Sequence, residues 1–290
     1  MKVLSDSQDK PLISIAELAE LVASGSVLVF DCRFDLVHPQ QGRSAWLSAH
    51  IPGAVHADLD QHLSGPISAH SGRHPLPAPD TFAAFLAESG YTRERKTVAY
   101  DAHGGAFAAR LWWLMRYFGL GHCAVLDGGI GAWVAAGYSL EPGVVKPAPQ
   151  AAPELTPRPV MVLDSQRVAS GLENAEIRLL DARSANRFRG EDETLDPVAG
   201  HVPGALSHPF QNNLDEYGRF RDAASLRAEF QRALGAYRPE QAVHMCGSGV
   251  TACQNVLAME CAGLPGSRLY PESWSGWITD PDRPVARGPN

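Results

Sequence analysis

The feature that most constrains the fold of this 290-residue chain is an internal repeat at a spacing of about half its length. Four segments of the first half recur in the second half in the same order: Val29–Arg33 as Leu179–Arg183, His50–Ala54 as His201–Ala205, Val98–Asp101 as Val243–Cys246, and Ala132–Trp133 as Gly276–Trp277. The offsets between the copies are 150, 151, 145 and 144 residues, so the order is kept and only loop lengths change. The repeat therefore predicts two similar domains in tandem.

A proline-rich stretch separates the two copies. Residues 141–159 contain six prolines, and repeated proline interrupts helices and central strands alike. We therefore interpret this stretch as an extended linker. It divides a first domain over residues 8–140 from a second domain over residues 160–286.

Within each copy, short apolar runs alternate with helical patterns. The first copy has apolar runs at Val27–Phe30 and Cys123–Leu126 and a helical pattern over Phe107–Phe118, and the second copy matches it. This alternation predicts the α/β class, with each domain a mainly parallel sheet covered by helices on both faces. Functional sites on such sheets lie at the carboxyl ends of the strands. Cys246 directly follows the apolar run Ala242–Met245 and is therefore a candidate site residue.

The composition limits the classes of partner. The formal net charge is −7, and 44% of the residues are hydrophobic and 20% charged, which is typical of a globular protein without a positive field for nucleic acid or anionic membranes. The polar start over Met1–Asp9 is unlike a signal peptide, and no apolar run approaches membrane-spanning length. We therefore expect a cytoplasmic protein that binds neither nucleic acid nor membrane.

The cysteines do not predict a disulfide framework or a zinc site. The chain has five of them, an odd number, and no Cys-x-x-Cys pair: Cys32, Cys123, Cys246, Cys253 and Cys261. We expect most of these side chains to be small buried apolar groups. Cys246 is the expected exception.

Cys246 heads a glycine-containing loop that precedes a helical pattern. The loop residues are Gly247, Ser248, Gly249, Val250 and Thr251. Two glycines let the backbone curl tightly, so that several N–H groups can converge on one anion beside a helix N-terminus. A sulfur placed there is stabilised as the thiolate, which is the nucleophilic form. The alternative is a buried cysteine at a strand end, followed by an ordinary glycine turn.

The first copy has Asp101 in the place of Cys246, followed by Ala102, His103, Gly104 and Gly105. A carboxylate cannot carry a transferred sulfur. Covalent chemistry is therefore confined to the second copy, and we expect the first half to form a wall of the active site.

The repeat, the two His-(Ile/Val)-Pro-Gly-Ala segments beginning at His50 and His201, and the Cys246 loop together resemble the rhodanese superfamily. More narrowly, they resemble its tandem-domain 3-mercaptopyruvate sulfurtransferases, over nearly the whole chain from Leu12 to Pro284. The resemblance implies two rhodanese-like domains and an enzyme that carries sulfur as a persulfide on Cys246. The backbone of residues 247–251 then binds the outer sulfur, and no metal or organic cofactor is needed.

A protein with this fold could have two other functions. Phosphatases with this fold have a Cys-x5-Arg loop, but Ala252 stands at the arginine position, so the cation that clamps a phosphoryl group is missing. A non-catalytic binding module is the alternative from another functional class. It predicts no persulfide on Cys246.

The charge of the loop indicates which sulfur donor the protein uses. Thiosulfate enzymes of the family have two cations in a loop such as Cys-Arg-Lys-Gly-Val-Thr, whereas Gly247 and Ser248 are uncharged. This favours 3-mercaptopyruvate, with thiosulfate as the alternative donor. The resemblance assigns the donor carboxylate to Arg187, which a loop acid could instead engage as an ion pair. The second arginine frequent in the family is absent from residues 191–201, and Arg189 is a possible substitute.

The resemblance also implies a Ser-His-Asp relay for proton movement, matched here by Ser248, His74 and Asp60, with His70 as a weaker competitor. In the resulting mechanism Cys246 attacks the donor sulfur and pyruvate leaves. The persulfide then passes its sulfur to a thiol acceptor, such as thioredoxin or a low-molecular-weight thiol, or to cyanide. The predicted donor is a small molecule.

Overall fold

The computed structural model describes residues 10–289, so the polar start and the first two residues of the predicted 8–140 domain lie outside the described residues. The first half has five strands and five helices, in the chain order β1 Leu12–Ile13, α1 Ile15–Ala23, β2 Val27–Asp31, α2 Gln40–Ser48, β3 Val55–His56, α3 Pro79–Glu88, β4 Lys96–Tyr100, α4 Ala108–Tyr117, β5 Cys123–Leu126 and α5 Gly129–Ala135. All strand pairs are parallel, in the order β1-β5-β4-β2-β3.

The second half repeats this arrangement. Its elements are α6 Ser165–Glu173, β6 Arg178–Asp181, α7 Ala185–Arg189, β7 Leu206–Ser207, α8 Ala223–Leu234, β8 Ala242–Met245, α9 Ala252–Cys261, β9 Arg268–Leu269 and α10 Ser273–Trp277. Short 3-10 helices occupy Pro159–Met161, Phe210–Asn213 and Pro239–Gln241. The four strands are parallel in the order β7-β6-β8-β9, and a parallel bridge from Val162 to Leu269 takes the place that β1 has in the first sheet.

Helices cover both faces of each sheet because the buried strands send alternate side chains to opposite sides. In β2, Leu28 and Phe30 join one apolar cluster with α3 and α4, whereas Val27 and Val29 join another with α1 and α5. In the second sheet the strands are divided in the same way. The predicted α/β class with parallel sheets is confirmed.

The two halves pack against each other through α4 and α9. One continuous apolar cluster contains side chains of both helices, among them Trp112 and Met259. At one edge of this interface Arg116 on α4 forms an ion pair with Glu260 on α9, with 3.1 Å between nitrogen and oxygen. Because each of these helices follows the loop that begins with Asp101 after β4 or with Cys246 after β8, the interface brings the two loops together.

The proline-rich stretch contains no helix or strand before Pro159, as predicted, but it follows the surface of the first half. The backbone N–H of Gln150 donates to the carbonyl of Ala87, and those of Thr156 and Arg158 donate to α4 and the residue after it. Among residues 10–289, no helix is long and apolar enough to cross a membrane.

Candidate active site

Cys246 lies at the carboxyl end of β8, and its loop is held from below by the turn before α10. Its backbone N–H donates to Oγ of Ser273 (3.1 Å), and its carbonyl accepts the N–H of Trp274 (3.0 Å). Gly249 has a φ of +76°, and a Cβ at this position would lie 2.4 Å from the carbonyl oxygen of Pro271. Glycine is therefore required there for both conformation and space.

The backbone N–H groups of this loop are free. None of those of residues 247–251 donates a hydrogen bond to any other residue between 10 and 289. Unpaired N–H groups away from water are costly, and these directly follow Cys246, a residue that is 2% exposed. A run of unpaired N–H groups of this kind can bind an anion.

The equivalent loop of the first half contains its own anion. The carboxylate of Asp101 accepts four backbone N–H groups at 2.8–3.0 Å, from His103, Gly105, Phe107 and Ala108. Gly104, at the position of Gly249, has a similar φ of +64°. The loop of the first half therefore holds a fixed carboxylate, whereas the loop of the second half begins with a thiol.

Two guanidinium groups lie beside Gly247. A Cβ at this glycine would be 2.9 Å from Nη2 of Arg73 and 3.5 Å from Nη2 of Arg187. Arg187 extends from α7 of the second half, whereas Arg73 comes from the first half, where its backbone N–H donates to Oγ of Ser275. The absence of a side chain at position 247 therefore leaves room for two cations that come from outside the loop.

Two buried carboxylates hold these arginines. Glu193 accepts from Nε and Nη2 of Arg187 at 2.9–3.1 Å, and Asp196 accepts from Nη2 of Arg187 at 3.1 Å. Asp196 also forms an ion pair with Nη1 of Arg73 and thus bridges the two halves. Nη1 of Arg187 and Nη2 of Arg73 donate to no other residue within the described chain, so both remain available to a ligand.

The three predicted relay residues are brought together across the domain interface. Nδ1 of His74 lies 2.7 Å from Oγ of Ser248, and its Nε2 lies 3.3 Å from Oδ1 of Asp60. A carboxylate only accepts hydrogen bonds, so Nε2 carries the proton and Nδ1 accepts from the serine hydroxyl. Burial is the main influence on the His74 pKa and lowers it, which keeps the imidazole neutral near pH 7. His70, the competing histidine, is exposed.

Arg73, Arg187, Cys246 and Ser248 line one cleft with a volume of about 190 Å³. Its walls come from both halves and include Leu36, Phe107 and Phe210 beside the charged residues and the cysteine loop. A larger groove of about 400 Å³ lies between α7 and α8, but no cysteine lines it. The smaller cleft is therefore the candidate active site.

The structure places each predicted site residue, and it adds others. Cys246, Gly247, Ser248, Val250, Thr251 and Arg187 line the cleft, while Gly249 lies below it. Arg189, the suggested second carboxylate-binding arginine, instead pairs with Glu191 at 2.7 Å on the surface. The sequence reasoning missed Arg73, although it directly precedes His74, because nothing local shows that this segment reaches the other half.

Sequence and structure comparisons agree on the family. Residues 14–136 and 164–280 match the model of the rhodanese-like domain. The chain is 43% identical to a probable 3-mercaptopyruvate sulfurtransferase of Pseudomonas aeruginosa, over 96% of this chain and 98% of that protein. It is 37% identical to SseB of Mycobacterium tuberculosis, a putative thiosulfate sulfurtransferase, over 96% and 97%. The solved structure of 3-mercaptopyruvate sulfurtransferase from Leishmania major matches with a TM-score of 0.81 and 29% identity, over 92% of this chain and 73% of that one.

Proposed function

The chain belongs to the rhodanese family as a sulfurtransferase with two tandem domains, and from this premise we propose that it moves a sulfane sulfur from 3-mercaptopyruvate through a persulfide on Cys246. The observation that carries the proposal is the buried Cys246 at a strand end, followed by backbone N–H groups that have no acceptor within the described chain. In the proposed mechanism residues 160–286 form the catalytic domain. Residues 8–140 carry no covalent step, and residues 141–159 link the two.

In the first half-reaction the Cys246 thiolate attacks the sulfur of 3-mercaptopyruvate. A sulfur–sulfur bond forms and the carbon–sulfur bond breaks, with its electron pair left on the carbon of the enolate of pyruvate. Protonation of that carbon gives pyruvate, and the donor thiol proton balances the step. The N–H groups of residues 247–251 then hold the outer sulfur of the persulfide as an anion.

Ser248, His74 and Asp60 move the proton in this scheme. The hydroxyl of Ser248 lies in the cleft and hydrogen-bonds the neutral imidazole of His74. Asp60 fixes the tautomer of His74 that accepts this hydrogen bond. The imidazole can therefore take up the proton of the donor thiol through the Ser248 hydroxyl, which passes its own proton to Nδ1 and accepts that of the donor. The same path in reverse returns the proton to the enolate carbon, and the Asp60 carboxylate stabilises the imidazolium in between.

The charges around the cleft favour a donor with one negative charge. Three arginines face three carboxylates there, so their formal charges cancel: Arg73, Arg183 and Arg187 against Asp181, Glu193 and Asp196. The free nitrogens of Arg187 and Arg73 can hold one carboxylate. A dianion such as thiosulfate brings a second negative charge, and within residues 10–289 the three arginines that line the cleft are already offset by these carboxylates.

In the second half-reaction a small acceptor attacks the outer sulfur and regenerates the thiolate. Thiols, including thioredoxin and low-molecular-weight thiols, and cyanide fit this role. We assign the protein to the cytoplasm because all five cysteines are free thiols, a state that reducing compartments maintain. Ping-pong kinetics follow from the two half-reactions.

Intact-mass spectrometry after treatment with 3-mercaptopyruvate, without acceptor, tests the proposal. The wild-type protein should gain one sulfur atom and Cys246→Ser none. Cys261→Ser is the matched control and should gain one, since burial raises the pKa of that thiol to about 12 and keeps it protonated. If the wild-type protein gains no sulfur, the non-catalytic binding module becomes the better explanation.

Thiosulfate remains the second candidate donor because a relative with 37% identity is a putative thiosulfate sulfurtransferase. Turnover of both donors on one preparation separates the two. We expect a higher kcat/KM for 3-mercaptopyruvate, and a clear advantage of thiosulfate would overturn the assignment of the donor.

A further inference from the structure

A second arginine of the first half reaches the cysteine loop from below. Arg110 lies in the first turn of α4 and is 0% exposed. Its guanidinium donates to the carbonyl of Gly249 at 3.0 Å and to the carbonyl of His74 at 3.1 Å. It makes weaker contacts with the carbonyls of Pro75 and Leu63 at 3.3 and 3.4 Å. One side chain therefore holds both the cysteine loop and the histidine of the relay.

This guanidinium has no carboxylate partner within residues 10–289. It hydrogen-bonds backbone carbonyls and the Cys253 side chain, and it forms no ion pair there. Arginine stays charged in proteins, and an unpaired buried charge is strongly unfavourable. A negative charge nearby would offset this cost.

The acidic groups that act on Arg110 are two thiols. Burial lowers the pKa of Arg110, and the charges of Cys253 and Cys246 oppose that effect. Cys253 is itself buried, with a pKa raised to about 12, so it stays neutral. Cys246 heads the loop of free N–H groups and is the thiol that can bear the charge.

We infer that Arg110 is a positioning residue for sulfur transfer, whose buried charge stabilises the anionic sulfur of Cys246 and its persulfide and whose hydrogen bonds align the loop with His74. This inference rests on the proposed function but concerns a different part of the molecule from the donor contacts. Arg110 touches neither donor nor acceptor. It acts through the loop and through His74.

Other charged and titratable groups also face Cys246 and must be held constant in a test. They are Arg73 and Arg187 across the cleft, Cys253 on α9, and His74, which reaches the loop through Ser248. Arg73 and Arg187 are already engaged by Glu193 and Asp196. Arg110 is therefore the cation near the loop whose charge is not offset.

The test is the pH dependence of iodoacetamide alkylation at Cys246, followed by peptide mass spectrometry. In Arg110→Met the midpoint should rise by about one pH unit or more, and kcat/KM at pH 7 should fall about tenfold or more. Arg110→Lys keeps the charge and should keep a midpoint near that of the wild-type protein. Arg116→Met, on the same helix and at the same interface, should leave the midpoint unchanged.

A purely structural role would lower the melting temperature of Arg110→Met while its alkylation midpoint stayed the same, and that result would overturn the inference. Arg110→Gln is a second neutral variant that keeps donors for the two carbonyls if the methionine variant does not fold. The wild-type protein gives an independent measurement. Its melting temperature, relative to that of Cys246→Ala, should increase as the pH rises through the midpoint, and no relative increase would also overturn the inference.

Failure of the proposed function is distinguishable from failure of this inference. The alkylation midpoint needs no sulfur donor. A wild-type protein that forms no persulfide refutes the proposed function, whereas a midpoint that does not depend on residue 110 refutes only the role of Arg110.

Discussion

The loops after β4 and β8 share a left-handed glycine at the same position, Gly104 and Gly249, but begin with different residues. In the first, Asp101 supplies a carboxylate that occupies four N–H groups. In the second, which begins with Cys246, the N–H groups of residues 247–251 have no protein acceptor within the described chain. We propose that both loops bind an anion through their backbone, and that the residue at the head of each loop decides whether this anion is structural or catalytic.

The neighbouring residue adds a second difference. Ala102 follows Asp101, whereas Gly247 follows Cys246 and leaves space for Arg73 and Arg187. The first half has therefore lost a place for covalent chemistry, but it contributes Arg73 and other side chains to the site of the second half. Both copies therefore contribute side chains to one site at their interface.

The largest effect is expected when the catalytic loop is converted to the form of the first half. Cys246→Asp should abolish sulfur transfer, because no thiol remains at the loop. If the free N–H groups bind anions, this variant should also unfold with a free energy about 2 kcal/mol higher than that of Cys246→Ala, since hydrogen bonds to a charged group contribute about that much. Donor turnover and urea denaturation measure the two effects. Equal stability of the two variants would contradict the proposal that the N–H groups of this loop bind an anion.

The reverse change should destabilise the first half. Asp101→Ala leaves four N–H groups without their acceptor, and the free energy of unfolding should fall by about 3 kcal/mol or more. Asp101→Asn, which keeps one acceptor oxygen, should lose less. Chemical denaturation checks both variants. Sulfur transfer per folded molecule should stay close to that of the wild-type protein, and a loss as large as that of Cys246→Ser would mean that Asp101 serves the reaction directly.

The arginines beside Gly247 should affect the donor more than the persulfide. Arg187→Gln and Arg73→Gln should each raise the KM for 3-mercaptopyruvate by about tenfold or more, because each removes a charged hydrogen-bond donor. Arg189→Gln is the matched control, since Arg189 lies on the surface beside Glu191, and its KM should be unchanged. Steady-state kinetics measure the KM of each variant for 3-mercaptopyruvate. An effect of Arg187→Gln without one of Arg73→Gln would limit donor binding to the second half.

The smallest effect concerns the strands that lead to the two loops, where His244 in β8 stands at the position of Ala99 in β4. Burial lowers the pKa of His244 to about 3, from an ordinary value of 6.5. The folded state therefore binds fewer protons than the unfolded state between these values, and the free energy of unfolding falls as the pH drops below 6.5. His244→Gln should make this decline shallower by at most about 1.4 kcal/mol per pH unit. Denaturation at pH 7, 6 and 5 measures how the free energy of unfolding of each protein depends on pH. Equal slopes for the wild-type protein and His244→Gln would contradict a lowered pKa of His244.

Much of the fold was predictable because it depends on local pattern. The strand Cys123–Leu126 has the predicted bounds, and the helix predicted over Phe107–Phe118 forms over Ala108–Tyr117. Apolar runs between turn residues mark buried strands wherever they occur in a chain. Because the chain repeats itself, the elements predicted for the first domain also predicted those of the second.

The site was predictable only in part. Cys246 and its loop were identified because glycine spacing and a strand end are features of the sequence itself. Arg73, Arg110 and the carboxylates Glu193 and Asp196 carry no comparable local signal. Their importance depends on which charges meet at the interface, and sequence separation does not reveal that.

The sequence by itself predicted the two-domain α/β architecture, the Cys246 loop and the restriction of covalent chemistry to the second copy, since periodicity, repeats and glycine positions are features of the sequence. Only the tertiary structure showed which cations line the cleft and which histidine contacts Ser248. It also showed that Arg110 lies below the loop without a carboxylate partner in the described chain. The physical reason is that electrostatic contacts depend on distance in space, and packing α4 against α9 brings together charges that are far apart in the chain.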